Sequence, residues 1–371
     1  MTMRMNRCWA LLSGVMSLLV AGVAAAAGAA PAGDVLAPGN FIHVIAHLDK
    51  TIAFYHGVLG LNPLTFGNAP PAPPKFAPNN PVSQLYAVPP GTVVGVTVFR
   101  LPVMGVGLEF AEFRNVKQKS SRPRPQDPGA SVVVLTVSQL DPILKRAHAA
   151  HVPILSTGGI PVAAGDGATR YRTVVLSDPD GYYVQLVEEP SAADGAGGAP
   201  GANAEASNVR RAALMLTIAD TDRNAQFYRD LLGLPLQIDS SFAPDETLAG
   251  AFGVRRAQFR HSVVTLPGSS FRYDFVEWRG VSRRPAHPSV HDHGAGVIRL
   301  TVSDVDGFVS NLITDGIAVE STGNGVVAMA PGFLASILSD PNGLFIEPVP
   351  RLQPRRPAGQ VPQAGGAGPP R

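Results

Sequence analysis

The sequence predicts an α+β protein built from two tandem copies of one domain, because three phrases occur twice in the same order. Residues 54–61 match residues 227–234, with Phe-Tyr near the start of each copy and Leu-Gly-Leu at its end. Further along, Leu-Thr-Val-Ser begins at Leu135 and again at Leu300. Leu-Ser-Asp-Pro begins at Leu176 and again at Leu338. The predicted domains therefore cover residues 38–190 and 208–350.

Each predicted domain contains a strand–helix–strand pattern that runs twice. Residues 41–48 are an apolar run of strand length, after which Asp49 is expected to cap a helix that ends at Gly60. The proline-rich residues 69–90 are expected to form a loop, since proline cannot pair inside a sheet. The pattern begins again with a strand at Ser131.

The repeated Leu-Ser-Asp-Pro phrase predicts a tight turn that leads into the last strand of each domain. In the first copy Pro179 suits the first central turn position, and Gly181 suits a positive φ. The residues that follow are aromatic and β-branched, as is typical of a strand.

The segments outside the two domains read as a leader, a linker and a tail. Residues 1–30 have Arg4 and Arg7, an apolar stretch and then small residues, the pattern of a signal peptide. We therefore expect a periplasmic or secreted protein with no membrane span after cleavage; an uncleaved N-terminal anchor is the alternative. Residues 191–207 are an Ala/Gly-rich linker, and residues 351–371 are expected to be disordered.

Composition excludes several function classes. The only cysteine is Cys8, inside the predicted leader, so neither a disulfide within the chain nor a cysteine metal site is expected in the exported protein. The formal charge is +2 without a basic patch, which argues against a nucleic-acid partner. The chain also lacks the Gly-x-Ser-x-Gly and phosphate-loop motifs.

Taken together and duplicated, the phrases resemble the vicinal oxygen chelate superfamily, which includes glyoxalase I, bleomycin-resistance proteins and extradiol dioxygenases. The resemblance rests on residues 54–61, 124–129 and 177–181 and on their partners in the second half. It implies that each domain is a pair of βαβββ units whose sheet curls into an open, U-shaped half-barrel. The concave face of such a sheet holds a small-molecule ligand and, in many members, a divalent metal.

The resemblance also indicates where the site residues should lie. In metal-binding relatives the ligands stand on the first and last strands of each unit. Those positions in the first domain are Asn40, Glu109, Val132 and Gln185. In the second domain they are Ala213, Asp274, Val297 and Glu347.

The residues at these positions argue against the usual metal. Valine and alanine donate no lone pair to an ion, so we expect no cofactor, with a divalent metal as the alternative if the strand register is shifted. Tyr183 and Phe345 alternate with Gln185 and Glu347, so they are expected to face the same ligand cavities.

The histidines point to no metal site. His43 and His47 share one face of the first strand and are expected to pack on its helix side or to lie at an edge. Three more, His287, His291 and His293, lie in a Pro- and Gly-containing connector, where solvation is the favoured reading and metal binding the alternative.

Arg299 is the most informative charged residue. Its neighbours Ile298 and Leu300 alternate to the opposite face, so its guanidinium should point into the half-barrel. A buried arginine needs acidic partners, and we expect an ion pair with Asp274 or Glu347. The pair would either close the half-barrel or orient the arginine toward an anionic ligand.

Three functions remain open from the sequence. The first is an exported protein that binds a small molecule without a metal. The second is a metal-dependent lyase, isomerase or ring-cleaving dioxygenase. The third is a module that binds another protein. The valine and alanine at the ligand positions favour the first over the second.

Overall fold

The computed structural model describes residues 34–64, 81–103, 105–165, 170–189, 208–285, 288–323 and 325–351. The predicted leader, the linker and all but the first residue of the predicted tail lie outside these ranges. Among the described residues, no helix has the length and apolar character needed to cross a membrane.

The described residues contain seventeen strands and six short α-helices. The strands are β1 (Val35–Ile45), β2 (Val93–Arg100), β3 (Gly107–Arg114), β4 (Ser131–Val137), β5 (Val162–Ala164), β6 (Tyr171–Ser177), β7 (Tyr183–Glu188), β8 (Val209–Ile218), β9 (Gln237–Ile238), β10 (Ala243–Pro244), β11 (Gln258–Thr265), β12 (Arg272–Arg279), β13 (Gly296–Val302), β14 (Val327–Ala330), β15 (Phe333–Ala335), β16 (Leu338–Ser339) and β17 (Phe345–Pro350). The helices are α1 (Leu48–Ile52), α2 (Pro81–Leu85), α3 (Asp141–Ala149), α4 (Thr221–Ala225), α5 (Glu246–Ala251) and α6 (Val305–Thr314); π-helical turns extend α1 and α4.

Two large sheets form the scaffold, and each contains strands from both halves of the chain. The first half-barrel is a six-stranded sheet in the order β16-β17-β13-β1-β3-β2. The second half-barrel is a nine-stranded sheet in the order β10-β11-β12-β8-β4-β7-β6-β5, with β9 beside β11. The α+β fold class and the curled sheets are as the sequence predicts.

The two halves of the chain meet through antiparallel strand pairs. β1 pairs with β13 in the first half-barrel, and β4 pairs with β8 in the second. The first βαβββ unit of each repeat thus shares its sheet with the second unit of the other repeat. The prediction that the site positions of one repeat lie together is wrong, because each sheet combines units from both repeats.

One apolar core lies against the helix-covered faces of both sheets. It includes Phe110 of the first sheet, Leu214 of the second, and Tyr55 and Tyr228 of the helical segments. Each concave face carries a separate apolar cluster of its own. Alternation along every strand therefore sends one set of side chains to the shared core and the other set to a concavity.

The repeated Asp-Pro turn is a structural lock. The Asp178 carboxylate accepts hydrogen bonds from the backbone N–H groups of Asp180 and Tyr182 and from the Tyr55 hydroxyl. Asp340 does the same in the second repeat, with the Tyr228 hydroxyl as its side-chain donor. Each turn thereby fastens the last strand of a repeat to that repeat's first helix.

Two local predictions are wrong. Asp49 does not cap α1, because His47 holds the cap position and makes no side-chain cap bond. The proline-rich segment is not loop throughout, since α2 forms within it and packs Leu85 into the concave cluster of the first half-barrel. Residues 69–80 lie outside the described ranges.

We predict that Asp178 makes the stability of the protein depend on pH. Burial raises the pKa of Asp178 to about 7, above the value of about 3.9 in an unfolded chain. The native state then binds more protons than the unfolded state between these values. Stability should therefore fall as the pH rises through this window, by at most about 1.4 kcal/mol per pH unit from this group.

Urea unfolding of wild type and of Asp178→Asn from pH 5 to pH 8 measures this contribution. The asparagine keeps an acceptor for the turn and cannot ionise, so the variant should show a shallower decline than wild type. Equal slopes in the two proteins would contradict the assignment.

Candidate functional site

The concave face of the first half-barrel contains a cluster of charges around Arg299. Arg299 Nε donates to Glu347 Oε2 at 2.9 Å, and Nη1 donates to Glu109 Oε2 at 2.8 Å. Asn40 Nδ2 also donates to Glu109 Oε2, at 2.8 Å. One guanidinium thus joins carboxylates from β3 and β17, the last strands of two different units.

Strand alternation and register place this cluster. Arg299 stands directly beside Glu347 in the parallel pair of β13 and β17. Glu109 is aligned with Ile42 on β1, two residues beyond Asn40. Because every one of these side chains points to the concave face, the charges meet above the floor of the sheet.

Burial makes the cluster electrostatically strong. The Glu347 side chain is 2% exposed and the Glu109 side chain 14% exposed. Burial raises the pKa of Glu347, and the charge of Arg299 opposes part of that rise. Burial on its own would lower the pKa of Arg299, but the two carboxylates raise it above its ordinary value.

The concave face of the second half-barrel is different, since it holds an open cavity of about 170 Å³. Its floor and walls are mainly apolar, with Val134, Ala213 and Met215 from the sheet and Leu248 from α5. The polar groups that line it are Thr136, Gln185, Arg211, Asp245, His261, Ser270, Arg272 and Asp274. Pro102 and Val103, from the loop between β2 and β3, complete one wall.

Asp274 is the acid of this cavity that does not cap a helix, and His261 fixes its position. His261 Nδ1 lies 2.9 Å from one carboxylate oxygen of Asp274 and 3.2 Å from the other. The Asp274 side chain remains 28% exposed, whereas that of His261 is 10% exposed. The histidine ring therefore stands behind a carboxylate that reaches the cavity.

Gln185 supplies a second hydrogen-bonding group. Its Nε2 donates to Thr173 Oγ1 at 3.0 Å, which leaves Oε1 as an acceptor. Gln185 is only 3% exposed and lines the cavity. The cavity therefore offers acceptor oxygens from Gln185 on β7 and Asp274 on β12. Strands β4 and β8 lie between these two strands in the sheet.

Helix α5 covers this concave face and is held at both ends. Asp245 caps its N-terminus, where the carboxylate accepts the Leu248 N–H at 2.8 Å. At the other end, Ser156 Oγ donates to the Ala251 carbonyl at 2.9 Å. These contacts fix Leu248, which forms part of the cavity wall.

Comparisons with known proteins agree with this fold. A model of the Glyoxalase/Bleomycin resistance protein/Dioxygenase superfamily matches residues 41–186 and 210–347. The chain belongs to this superfamily. The two matched segments correspond to the two repeats, so both halves are glyoxalase-superfamily domains.

Solved structures support the fold at low sequence identity. A glyoxalase I variant from Zea mays is 15% identical with a TM-score of 0.52, and the match covers 85% of this chain and 93% of that one. A "putative dioxygenase" from Bacillus subtilis is 14% identical with a TM-score of 0.51, and the match covers 86% of each chain. No curated protein sequence matches the chain.

The residues of this superfamily member do not fit a divalent metal at the expected positions. In the first half-barrel the guanidinium of Arg299 lies between the two carboxylates. In the second, the expected positions Ala213 and Val132 supply no donor, and neither does Val134, which stands beside Gln185. His261 directs Nδ1 to Asp274. Within the described ranges, no three His, Cys, Asp or Glu side chains are grouped to hold an ion.

The structure changes how the predicted site residues are grouped. Asn40, Glu109, Arg299 and Glu347 lie together in the first half-barrel, whereas Gln185 and Asp274 line the cavity of the second. The expected pairing of Arg299 with Glu347 is confirmed. The expectation that Asp274 shares the same floor is wrong, because β12 belongs to the other sheet.

The two aromatic candidates do not line the cavity. Phe345 is 3% exposed in the apolar cluster of the first half-barrel. Tyr183 packs against the corresponding cluster of the second, and its hydroxyl donates to the Pro123 carbonyl at 3.0 Å. Their roles in ligand binding stay predictions.

The expected position of His43 is confirmed. It stacks on Tyr182 at a centroid distance of 3.6 Å on the helix side of β1, and burial lowers its pKa. His47 is exposed, His291 lies 3.3 Å from the Tyr86 carbonyl through Nδ1, and His287 falls outside the described ranges.

Sequence reasoning missed His261, Leu248 and the cavity itself. His261 stands on β11, the strand that precedes the last strand of its unit, where the resemblance places no ligand. A comparison of the two repeats would have pointed to it. Strand β11 corresponds to β2, and the first repeat has Val96 where the second has His261. A histidine in place of a valine on a concave face indicates a polar site.

We predict that Arg299→Met is less stable than wild type by about 3 kcal/mol, because it leaves the buried carboxylate of Glu347 and the partly buried carboxylate of Glu109 without a cation. The pKa of Glu347 should rise further without the arginine. The variant's native state would then bind protons that the unfolded state releases, so its deficit should be larger at pH 8 than at pH 5.

Urea unfolding at both pH values measures this deficit. Adding Glu347→Gln to Arg299→Met should recover part of the lost stability, because it removes one unpaired charge. A single variant as stable as wild type at pH 8 would show that the cluster has no structural role.

Proposed function

We propose that the protein binds a small organic molecule in the cavity of the second half-barrel, without a metal ion. The observation that carries this proposal is the cavity of about 170 Å³ with the partly exposed carboxylate of Asp274 in its lining. Binding sites for small molecules are typically concave, mainly apolar and equipped with a few placed polar groups. The first half-barrel offers its polar groups to Arg299 instead.

The lining defines the chemical class of the ligand. Val134, Ala213, Met215 and Leu248 suit a compact apolar body, such as a small ring or a branched chain. The acceptors of Asp274 and Gln185 require at least one hydrogen-bond donor on it, because an unpaired buried acceptor is costly. We therefore propose phenols, alcohols or amines of small size.

The superfamily includes enzymes, and the contact between His261 and Asp274 makes catalysis a second candidate. A carboxylate held by an imidazole at the end of a cavity can take a proton from a bound molecule and return it. In that case Asp274 is the base, and His261 positions it. The reaction would be a proton transfer within the substrate, with no net change in oxidation state.

We predict that Ala213→Phe weakens ligand binding at least about tenfold and leaves the melting temperature close to wild type. Ala213 is half-buried at the cavity, so the new ring would fill ligand space rather than the core. Saturation-transfer NMR with a set of small phenols, alcohols and amines measures the binding. Ala163→Phe, on the exposed position of edge strand β5, is the matched control and should bind as wild type does.

Two results would separate or reject these candidates. Exchange of a carbon-bound ligand proton for solvent deuterium, lost in Asp274→Asn, would identify an enzyme. Undiminished binding in Ala213→Phe would place the ligand elsewhere and reject the proposal.

We also propose that the protein is exported to the periplasm or secreted. The support is the sequence of residues 1–30, in which two arginines precede an apolar stretch and a run of small residues. We predict a mature chain that begins near Pro31. N-terminal sequencing of protein recovered from outside the cytoplasm measures this, and a chain that begins at Met1 would reject cleavage.

A further inference from the structure

We propose that Arg299 is a built-in replacement for a divalent cation in the first half-barrel, so that this half-barrel is a latent metal site closed by the protein's own guanidinium. The superfamily expectation of a metal and the residues of this chain disagree here. The first half-barrel has the acidic side chains that a metal site would use, but the guanidinium of Arg299 lies between them.

The arginine contacts the groups that an ion would use. Both carboxylates direct both oxygens to it: Nη1 and Nη2 lie 2.8 and 3.5 Å from Glu109, and Nε and Nη2 lie 2.9 and 3.3 Å from Glu347. Asn40 stands beside them through its bond to Glu109. Two carboxylates and one amide form an oxygen set that suits a hard or borderline divalent ion.

The backbone near Arg299 is adapted to the arginine. A Cβ atom on Gly39 would lie 2.8 Å from Arg299 Cγ and 3.0 Å from its Cβ, closer than atoms approach without displacement. Glycine at position 39 therefore makes room for the stem of the arginine. This observation is independent of the charges and shows that β1 and Arg299 fit together.

The second half-barrel is the internal comparison. Val134 stands beside Gln185 in β4 and β7, as Arg299 stands beside Glu347 in β13 and β17. The second half-barrel thus has valine where the first has arginine. It contains an open cavity, whereas in the first half-barrel the guanidinium occupies the corresponding space.

The charges explain why a metal ion cannot bind while Arg299 is present but can bind once it is removed. Two carboxylates carry two negative charges, and a single guanidinium balances one of them at a fixed, untitratable position. A metal ion would have to enter beside a buried cation or expel it, and both cost electrostatic energy. Once the arginine is removed, the two unpaired carboxylates favour a divalent ion.

The test measures binding of Mn²⁺, Ni²⁺ and Zn²⁺ to metal-free protein by calorimetry and by metal analysis after gel filtration. We expect Arg299→Ala to bind one ion at least about tenfold more tightly than wild type, and to gain melting temperature with the ion added. Adding Glu347→Gln to Arg299→Ala should abolish the gain.

Arg172 supplies a matched control. Its guanidinium also pairs with two carboxylates, Glu188 at 2.6 Å and Asp141 at 2.9 Å, but Asp141 is 74% exposed. Arg172→Ala should gain no ion, because the exposed carboxylate of Asp141 is solvated and is not held beside Glu188 by its surroundings. A comparable gain in this variant would show that freed carboxylates bind metal without any latent site.

Arg299→His is a second variant in case Arg299→Ala does not fold. Its imidazole adds a nitrogen ligand for the metal ion. If both variants fold only with the ion present, the proposal is supported. It is overturned if neither variant gains an ion, with or without refolding in its presence. It is also overturned if wild type already binds a stoichiometric ion that Glu109→Gln removes.

Discussion

Two antiparallel strand pairs, β1 with β13 and β4 with β8, are the constraint on which the rest of the structure depends. They join the first unit of each repeat to the second unit of the other, so neither half-barrel can form from one repeat alone. Asn40 and Glu109 therefore meet Arg299 and Glu347 only after β1 and β13 have paired, although residues that face each other in this pair, such as Phe41 and Ile298, are 257 positions apart in the chain. Such long-range pairing forms slowly, and the residues of both concave faces come together only when it has formed.

The same scaffold supports two different concave faces, and the difference follows from a few side chains. Arg299 in one sheet and Val134 in the other occupy matching register positions. Where the side chain is arginine, its guanidinium lies between two carboxylates and pairs with both. Where it is valine, Gln185 and Asp274 face a cavity. Because the guanidinium needs its acidic partners, the polar groups of the first half-barrel are paired with one another.

The sequence predicted what local pattern and repetition control. The repeats fixed the fold class, strand alternation placed Arg299 on the concave face, and the need of a buried cation for an acid identified Glu347. The cavity could not be predicted, because its prediction requires knowing which strands belong to which sheet. Asp274 was assigned to the wrong floor for that reason. Leu248 was missed because α5 takes its position only from tertiary packing. His261 could have been found from the repeats, since the first repeat has Val96 at the corresponding position.

The repeats also separate structural residues from residues of the site, without any other sequence. Asp178 and Asp340 are alike in the two copies, and each bonds a tyrosine of its own repeat, as a shared lock should. The concave positions differ: Asn40 corresponds to Ala213, Glu347 to Gln185, and Val96 to His261. Duplication relaxes the demand that both sites work, whereas both turns must still hold their strands. Divergence between the copies therefore concentrates where ligand chemistry is decided, and identity is kept where the fold is held together.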